Sequence, residues 1–157
     1  MVGERPKSRA LAVNRKARHD YEILETFEAG VALQGTEVKA ARQGKVQLKD
    51  SYVEVRDGEA YLVGAHISPY THGNRKNHEP ERPRKLLLHR REVDKLFGRI
   101  MMKGLTVVPL RVYLKGNLIK VEIALVRGKQ LHDKRQAERE RTMDREAQEA
   151  IKDGWRR

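Results

Sequence analysis

The chain has no cysteine among its 157 residues. That excludes a disulfide framework, a Cys-ligated zinc site and thiol catalysis, and it fits a reducing, cytoplasmic compartment. No apolar run approaches the ~20 residues of a membrane-spanning helix, and Met1–Asn14 lacks the long apolar segment of a secretory signal. Neither a membrane partner nor a membrane location is therefore expected. Aromatic residues are scarce at 5%, which weakens the case for a long platform stacking single-stranded nucleic acid. The glycine-rich phosphate motifs G-x-x-x-x-G-K-[ST] and G-x-G-x-x-G are missing, as is H-E-x-x-H, so no cofactor is implied. His66, His72, His78 and His89 are too loosely spaced to suggest a metal site. Ser51 and Ser68 have no visible triad partner, and Glu79 and Glu81 sit among Pro and Arg as a solvated loop would. No catalytic residue is expected.

What the sequence has is positive charge. Lys plus Arg total 34 against 22 Asp plus Glu, a formal net charge of +12, beyond the ~2–8 that solubility asks of a small domain. The charge is uneven: residues 1–20 carry +4, 21–73 carry −3, 74–91 carry +5, and 92–126 and 127–157 carry +3 each. A leading arm, a central loop and a tail hold the excess, a distribution suited to a polyanionic partner. The bland alternative is a set of solvated loops that keep the protein soluble.

Apolar residues, 38% of the chain, suffice for one modest core. Residues 1–13 show little pattern and are read as a flexible arm. Tyr21 to Leu33 reads as a long strand bent at Gly30. Thr36 is placed as the cap of a short helix through Arg42, with Val38 and Ala41 inward and Gly44 ending it. Strands at 51–56 and 60–67 flank the hairpin signal Asp57-Gly58. Residues 68–84, with Pro69, Gly73, Pro80 and Pro83, form a loop. Val93, Leu96, Phe97 and Ile100 follow helical spacing, so 90–102 is an amphipathic helix closed by Gly104. Val108, Leu110, Val112 and Leu114 alternate, as do Ile119, Val121, Ile123 and Leu125 after a Lys115-Gly116-Asn117 turn. These are two paired strands with one buried face each, and Pro109 marks an edge or a bulge. Residues 133–153 are charged, helix-prone and poor in apolar anchors, a tail ordered by a partner. The expected fold is mainly β (α+β): a small closed antiparallel barrel of oligonucleotide-binding type with five or six strands, two or three flanking helices and a C-terminal tail.

Two clusters combine bases with flat rings: Asn14-Arg15-Lys16-Ala17-Arg18-His19-Asp20-Tyr21, and Arg127 through Arg135 with His132. Arg and Lys meet phosphates, while His and Tyr offer faces for unstacked bases. Tyr21 serves core packing equally well. Two other classes remain open on these residues: a basic barrel built permanently into a ribosome, and a metal-dependent nuclease.

At these residues the sequence resembles the small protein B family, the transfer-messenger RNA-binding factors of bacterial ribosome rescue. The resemblance is carried by Asn14 to Tyr21; Phe27-Glu28-Ala29-Gly30 with Ala32-Leu33-Gln34-Gly35; Glu37-Val38-Lys39; Asp50-Ser51-Tyr52-Val53; Asp57-Gly58-Glu59-Ala60; Arg84-Lys85-Leu86-Leu87-Leu88; and Gly128-Lys129 through His132-Asp133-Lys134-Arg135. The blocks occur in the family's order over residues 11–152. The resemblance implies a non-enzymatic monomer that binds the tRNA-like domain of transfer-messenger RNA and delivers it to stalled ribosomes for peptide tagging. It also implies a tail in the empty messenger channel. Glu28, Leu87 and His89, where some members carry Asn, are implied on the RNA-binding face, together with Lys85. Asn14, Lys16 and Arg18 of the first cluster, and Lys129, Lys134 and Arg135 of the second, complete the candidate RNA contacts. His19 and His132 resemble positions near the decoding centre, and Ile151 the apolar end of the tail. The division expected is an arm at 1–13, an RNA-binding domain at 14–130 and a tail at 131–157, helical on the ribosome.

Overall fold

The computed structural model describes residues 8–71 and 76–128. In chain order the elements are β1 (Ser8–Val13), α1 (Arg15–Asp20), β2 (Tyr21–Val31), α2 (Gly35–Arg42), β3 (Val46–Gln47), β4 (Tyr52–Arg56), β5 (Glu59–Val63), β6 (His66–Ile67), β7 (Arg84–Leu87), α3 (Arg90–Ile100), β8 (Leu105–Lys115) and β9 (Leu118–Gly128). Seven strands form one sheet in the order β1-β8-β9-β2-β7-β5-β4, and β3 pairs with β6 apart from it. Every pairing is antiparallel.

The fold is mainly β with three helices, of oligonucleotide-binding type, but the expected closed barrel is corrected. Among the described residues no hydrogen-bonded ladder joins the sheet's ends. Edge strand β4 instead comes back alongside β8 without pairing, and α3 packs against both. The apolar stripe of α3, with Val93 and Leu96 buried, fills the place a closing ladder would take. Strand number is corrected too. The extra strands are two-residue pieces, the four-residue β7, and β1.

Residues 8–13, assigned to the arm, form a strand paired with β8 from Ser8 opposite Lys115 to Val13 opposite Arg111. Leu11 is its buried anchor. One apolar residue between alanines is too weak an alternation to announce a strand.

The Asp57-Gly58 signal holds: both residues have positive φ, 53° and 78°, the type I′ geometry that matches strand twist. The helix at 35–42 is capped differently from expectation. Its first turn is held by the Gln34 N–H donating to Glu37 Oε1 at 2.7 Å, while Thr36 lies inside the helix and buried.

Pro109 marks a bulge, not an edge. β8 is interior, between β1 and β9, and its register against β9 shifts between Pro109 and Arg111. The extra residue, Leu110, joins Val108, Ala124, Val126 and Ala17 of α1 in a second core. The expectation of one buried face for each of these strands is thereby corrected at this end: α1 covers the face opposite the main core. The main core gathers Phe27, Val53, Leu62, Leu86, Leu96, Val107 and Ile123, among others.

Candidate nucleic-acid interface

Alternation along β2 sends Phe27 and Ala29 into the core and leaves Glu28 outward. The ladders set Gly30 opposite Lys120 on β9 and opposite Leu87 on β7. A Cβ at Gly30 would lie 3.3 Å from Leu87 Cβ, so the missing side chain is what lets Leu87 lie across this strand. Leu87 is 54% exposed and Leu118 62%. With Val38 and Lys120 they line a groove of about 350 Å³. Exposed apolar walls beside an ammonium suit a nucleobase with its phosphate.

Glu28 is not a solitary carboxylate. The buried Tyr113 hydroxyl of β8 donates to its Oε2, and Lys115 Nζ lies 3.4 Å from Oε1 and 3.3 Å from Oε2. The Tyr113 hydrogen bond holds the carboxyl below its usual range; slight burial opposes this and Lys115 assists it. Burial, then Glu28, pushes the Tyr113 phenol well up. Lys85, outward on β7, pairs with Glu59 at 2.8 Å. His89 is exposed at the N-cap of α3, where its N–H donates to Glu92 Oε1 at 3.1 Å. Glu28, Lys85 and Leu87 thus share one outer sheet face, with His89 just beyond the C-terminal end of β7.

The second group surrounds α1. Asn14 caps the helix: it is buried, its Oδ1 accepts from the Ala17 N–H at 3.2 Å and its Nδ2 donates to the Pro109 carbonyl at 2.9 Å. Lys16 and Arg18 point outward, 3.7 Å from Asp50 and 3.9 Å from Glu122. Such exposed pairs are weak and leave the cations available to phosphate. His19 is 89% exposed beside Asp20. Tyr21 is half-buried against the second core, and with Lys16, Asp50 and Gly128 it lines a pocket of about 300 Å³. Glu28 lies seven residues further along β2, roughly 20 Å from Tyr21 at strand rise, but on the same outer side of the sheet: Arg18 reaches Glu122, the cross-strand partner of Glu28. Lys129, His132, Lys134, Arg135 and Ile151 lie outside the described residues.

Sequence reading missed the polar core that positions this face. Glu37 is fully buried and accepts from Arg82 Nε at 3.0 Å, an Arg82 terminal nitrogen at 2.6 Å and Arg84 Nε at 2.8 Å. Arg84, 1% exposed, also donates to the Ala65 and Pro80 carbonyls at 2.9 Å each. His78 is buried between the Thr36 hydroxyl and the Ile67 carbonyl, 2.8 Å from each. These bonds clamp the loop before β7, and hence Lys85 and Leu87, onto α2. The available signal was Glu37 and Arg84 within the blocks that carry the resemblance.

Among the described residues no cluster of His, Asp and Glu is placed to hold a metal ion, and no helix is long and apolar enough to cross a membrane.

Fold and surface together define a small β-sheet protein of oligonucleotide-binding type with a mixed apolar and charged outer face. A family model described as SmpB protein matches residues 11–153. The SsrA-binding protein of Carboxydothermus hydrogenoformans is 54% identical over 142 residues, 90% of this chain and 95% of that one. That of Trichormus variabilis is 58% identical over 140 residues, 88% and 90% of the two chains. A solved structure described as "tmRNA-SmpB: a journey to the center of the bacterial ribosome" aligns with a TM-score of 0.67 at 50% identity, covering 81% of this chain and 93% of that one. The chain belongs to the SmpB family.

Proposed function

We propose that this chain is a cytoplasmic, non-enzymatic RNA-binding factor that binds the tRNA-like domain of transfer-messenger RNA and brings it to stalled bacterial ribosomes. The observation that carries this reading is the exposed face where Glu28 and Leu87 sit on neighbouring strands, in a chain 50% identical to the SmpB of a tmRNA-SmpB structure. Glu28 accepts from base N–H groups, Leu87 covers a base face, and Lys85 and His89 extend the contact along β7 and the start of α3. Lys16, Arg18, Lys129, Lys134 and Arg135 meet phosphates. His19, His132 and Ile151 face the ribosome, the first two at the decoding centre. The RNA-binding domain runs to about residue 130, taking in β1 as well, and 131–157 is a tail that becomes helical in the messenger channel. The protein works as a monomer.

The test is the affinity of Glu28→Ala and Leu87→Ala for transfer-messenger RNA, with folding checked by thermal melting. Each should lose about tenfold, the equivalent of one charge-assisted or well-packed contact. Unchanged affinity in both folded variants would remove this face from the interface. Co-sedimentation distinguishes the integral ribosomal component: the rescue factor joins stalled ribosomes together with its RNA, a structural component joins all of them.

A further inference from the structure

We propose that Tyr113 is the positioning residue for Glu28, its hydroxyl tying down Oε2 so that Oε1 is presented to an N–H edge of a nucleobase in the bound RNA. The proposal rests on the reading that Glu28 touches RNA.

The geometry is specific. Tyr113 stands on β8 and Glu28 on β2, with β9 between them, so the phenol reaches across a whole strand to make this bond. Its ring is clamped: Tyr113 is 4% exposed, and the Arg111 guanidinium lies 4.1 Å from the ring centroid. Arg111 is in turn held by Glu122 at 2.9 Å. A donor on so fixed an arm sets where an exposed carboxylate points. The groups that face Glu28 are Tyr113 and Lys115 from β8, Lys120 and Glu122 from β9, and Leu87 at the edge of β7. Among the described residues, Oε1 has one contact, the long one to Lys115 at 3.4 Å. Its acceptor capacity therefore remains for a ligand. A phosphate would be repelled there, whereas a base amino or imino group would donate to it. Without the phenol, Glu28 would swing toward Lys115 or Lys120 and present Oε1 in many directions.

A double-mutant cycle tests this with the full-length protein and transfer-messenger RNA. Tyr113→Phe removes one oxygen and keeps the packed ring. It should weaken binding about three- to tenfold, yet change it less than about twofold in a Glu28→Gln background, because the effect passes through that carboxylate. In the variant, the Glu28 carboxyl should also titrate at higher pH than in the wild type, read by carbon NMR of the free protein. A merely structural role for Tyr113 would not move that titration. If Glu28→Gln binds like the wild type, the RNA-face reading of Glu28 falls and the proposal with it. If Glu28→Gln weakens binding but Tyr113→Phe does not, or the two losses simply add, the positioning role is wrong and the Glu28 reading stands. Should Tyr113→Phe fold poorly, 3-fluorotyrosine at 113 keeps the shape and strengthens the donor. The Glu28 titration should then move lower, and no movement would overturn the proposal.

Discussion

At the scale of single residues, the charges on the outer face and those in the interior have different work. A carboxylate with no exposure, such as Glu37, is tolerable because four donors surround it: two from Arg82, one from Arg84 and the Gln34 N–H. Burial pushes its carboxyl up, but Arg82, the Gln34 N–H and Arg84 outweigh burial and hold it below its usual range. A folded value below the unfolded one means that the stabilisation is complete above the unfolded value of about 4.3 and is lost as pH falls through the folded one. Glu37→Gln should leave Arg84 buried without a counter-charge and cost about 3–5 kcal/mol, since breaking one side of a buried pair is worse than never having built it. Urea unfolding from pH 7 down to pH 3 checks both points: wild-type stability should drop at the acid end, and the variant, weaker throughout, should drop less steeply. An unchanged midpoint for Glu37→Gln at pH 7 would mean that Arg84 finds other partners.

At the scale of elements, α1 shows how a bulge and a cap are built together. The register shift at Pro109–Arg111 frees two carbonyls of β8, and Asn14 takes both: its Nδ2 donates to Pro109 and its backbone N–H to Leu110 at 2.8 Å. Its Oδ1 then caps α1, which carries Lys16, Arg18 and His19. Asn14→Ala should cost about 1–2 kcal/mol in chemical denaturation, the sum of a lost cap and an unpaired buried carbonyl partly reached by water. It should also loosen hydrogen exchange in α1 before β2. A neutral substitution would show that helix and bulge are independent. The elements legible in the sequence were those with strong periodicity: β2, the Asp57-Gly58 hairpin, α3, and the alternating β8 and β9. Those that stayed hidden lacked it. β1 offers one core residue, Leu11. α1 is six residues long and buries only Ala17, so its five charged or polar residues read as a binding cluster alone. The candidate site was legible where the resemblance named residues, Glu28 and Leu87. Tyr113 was not, because the alternation of Val108, Leu110, Val112 and Leu114 sets it on the outward face without naming a partner, and only the folded sheet brings its hydroxyl two strands over to Glu28. Nor was barrel closure: local pattern says which residues are inward, but not whether the edges of a curled sheet bond or are bridged by a helix.

At the scale of the whole molecule, the core of the described residues is drawn from Leu11 to Val126. Both apolar clusters draw their last members from Leu125 and Val126, and β9 ends two residues later. The sequence after Arg135 is charged and poor in apolar anchors, so a chain stopped there should fold with an unfolding midpoint close to that of the full protein. Its RNA affinity should stay within about twofold, because the clusters at 14–18 and 129–135 and the Glu28 face are all retained. Residues 137–152 carry four basic and five acidic side chains, so they add little general attraction for a polyanion. The salt dependence of binding should therefore be steep and nearly the same in both chains, since its slope counts the phosphates neutralised. What the truncated protein should lose is peptide tagging on stalled ribosomes. Ordering a segment of this kind costs ~1–2 kcal/mol of backbone entropy per residue, and alternating charges with few apolar anchors return too little of it in solution. Contacts inside an RNA-walled channel can return it. Measuring affinity at several salt concentrations alongside tagging in a reconstituted system separates the two roles. Tagging at the wild-type level would show the tail to be dispensable, and a shallower salt slope with weaker binding would show it to be part of the RNA-binding surface.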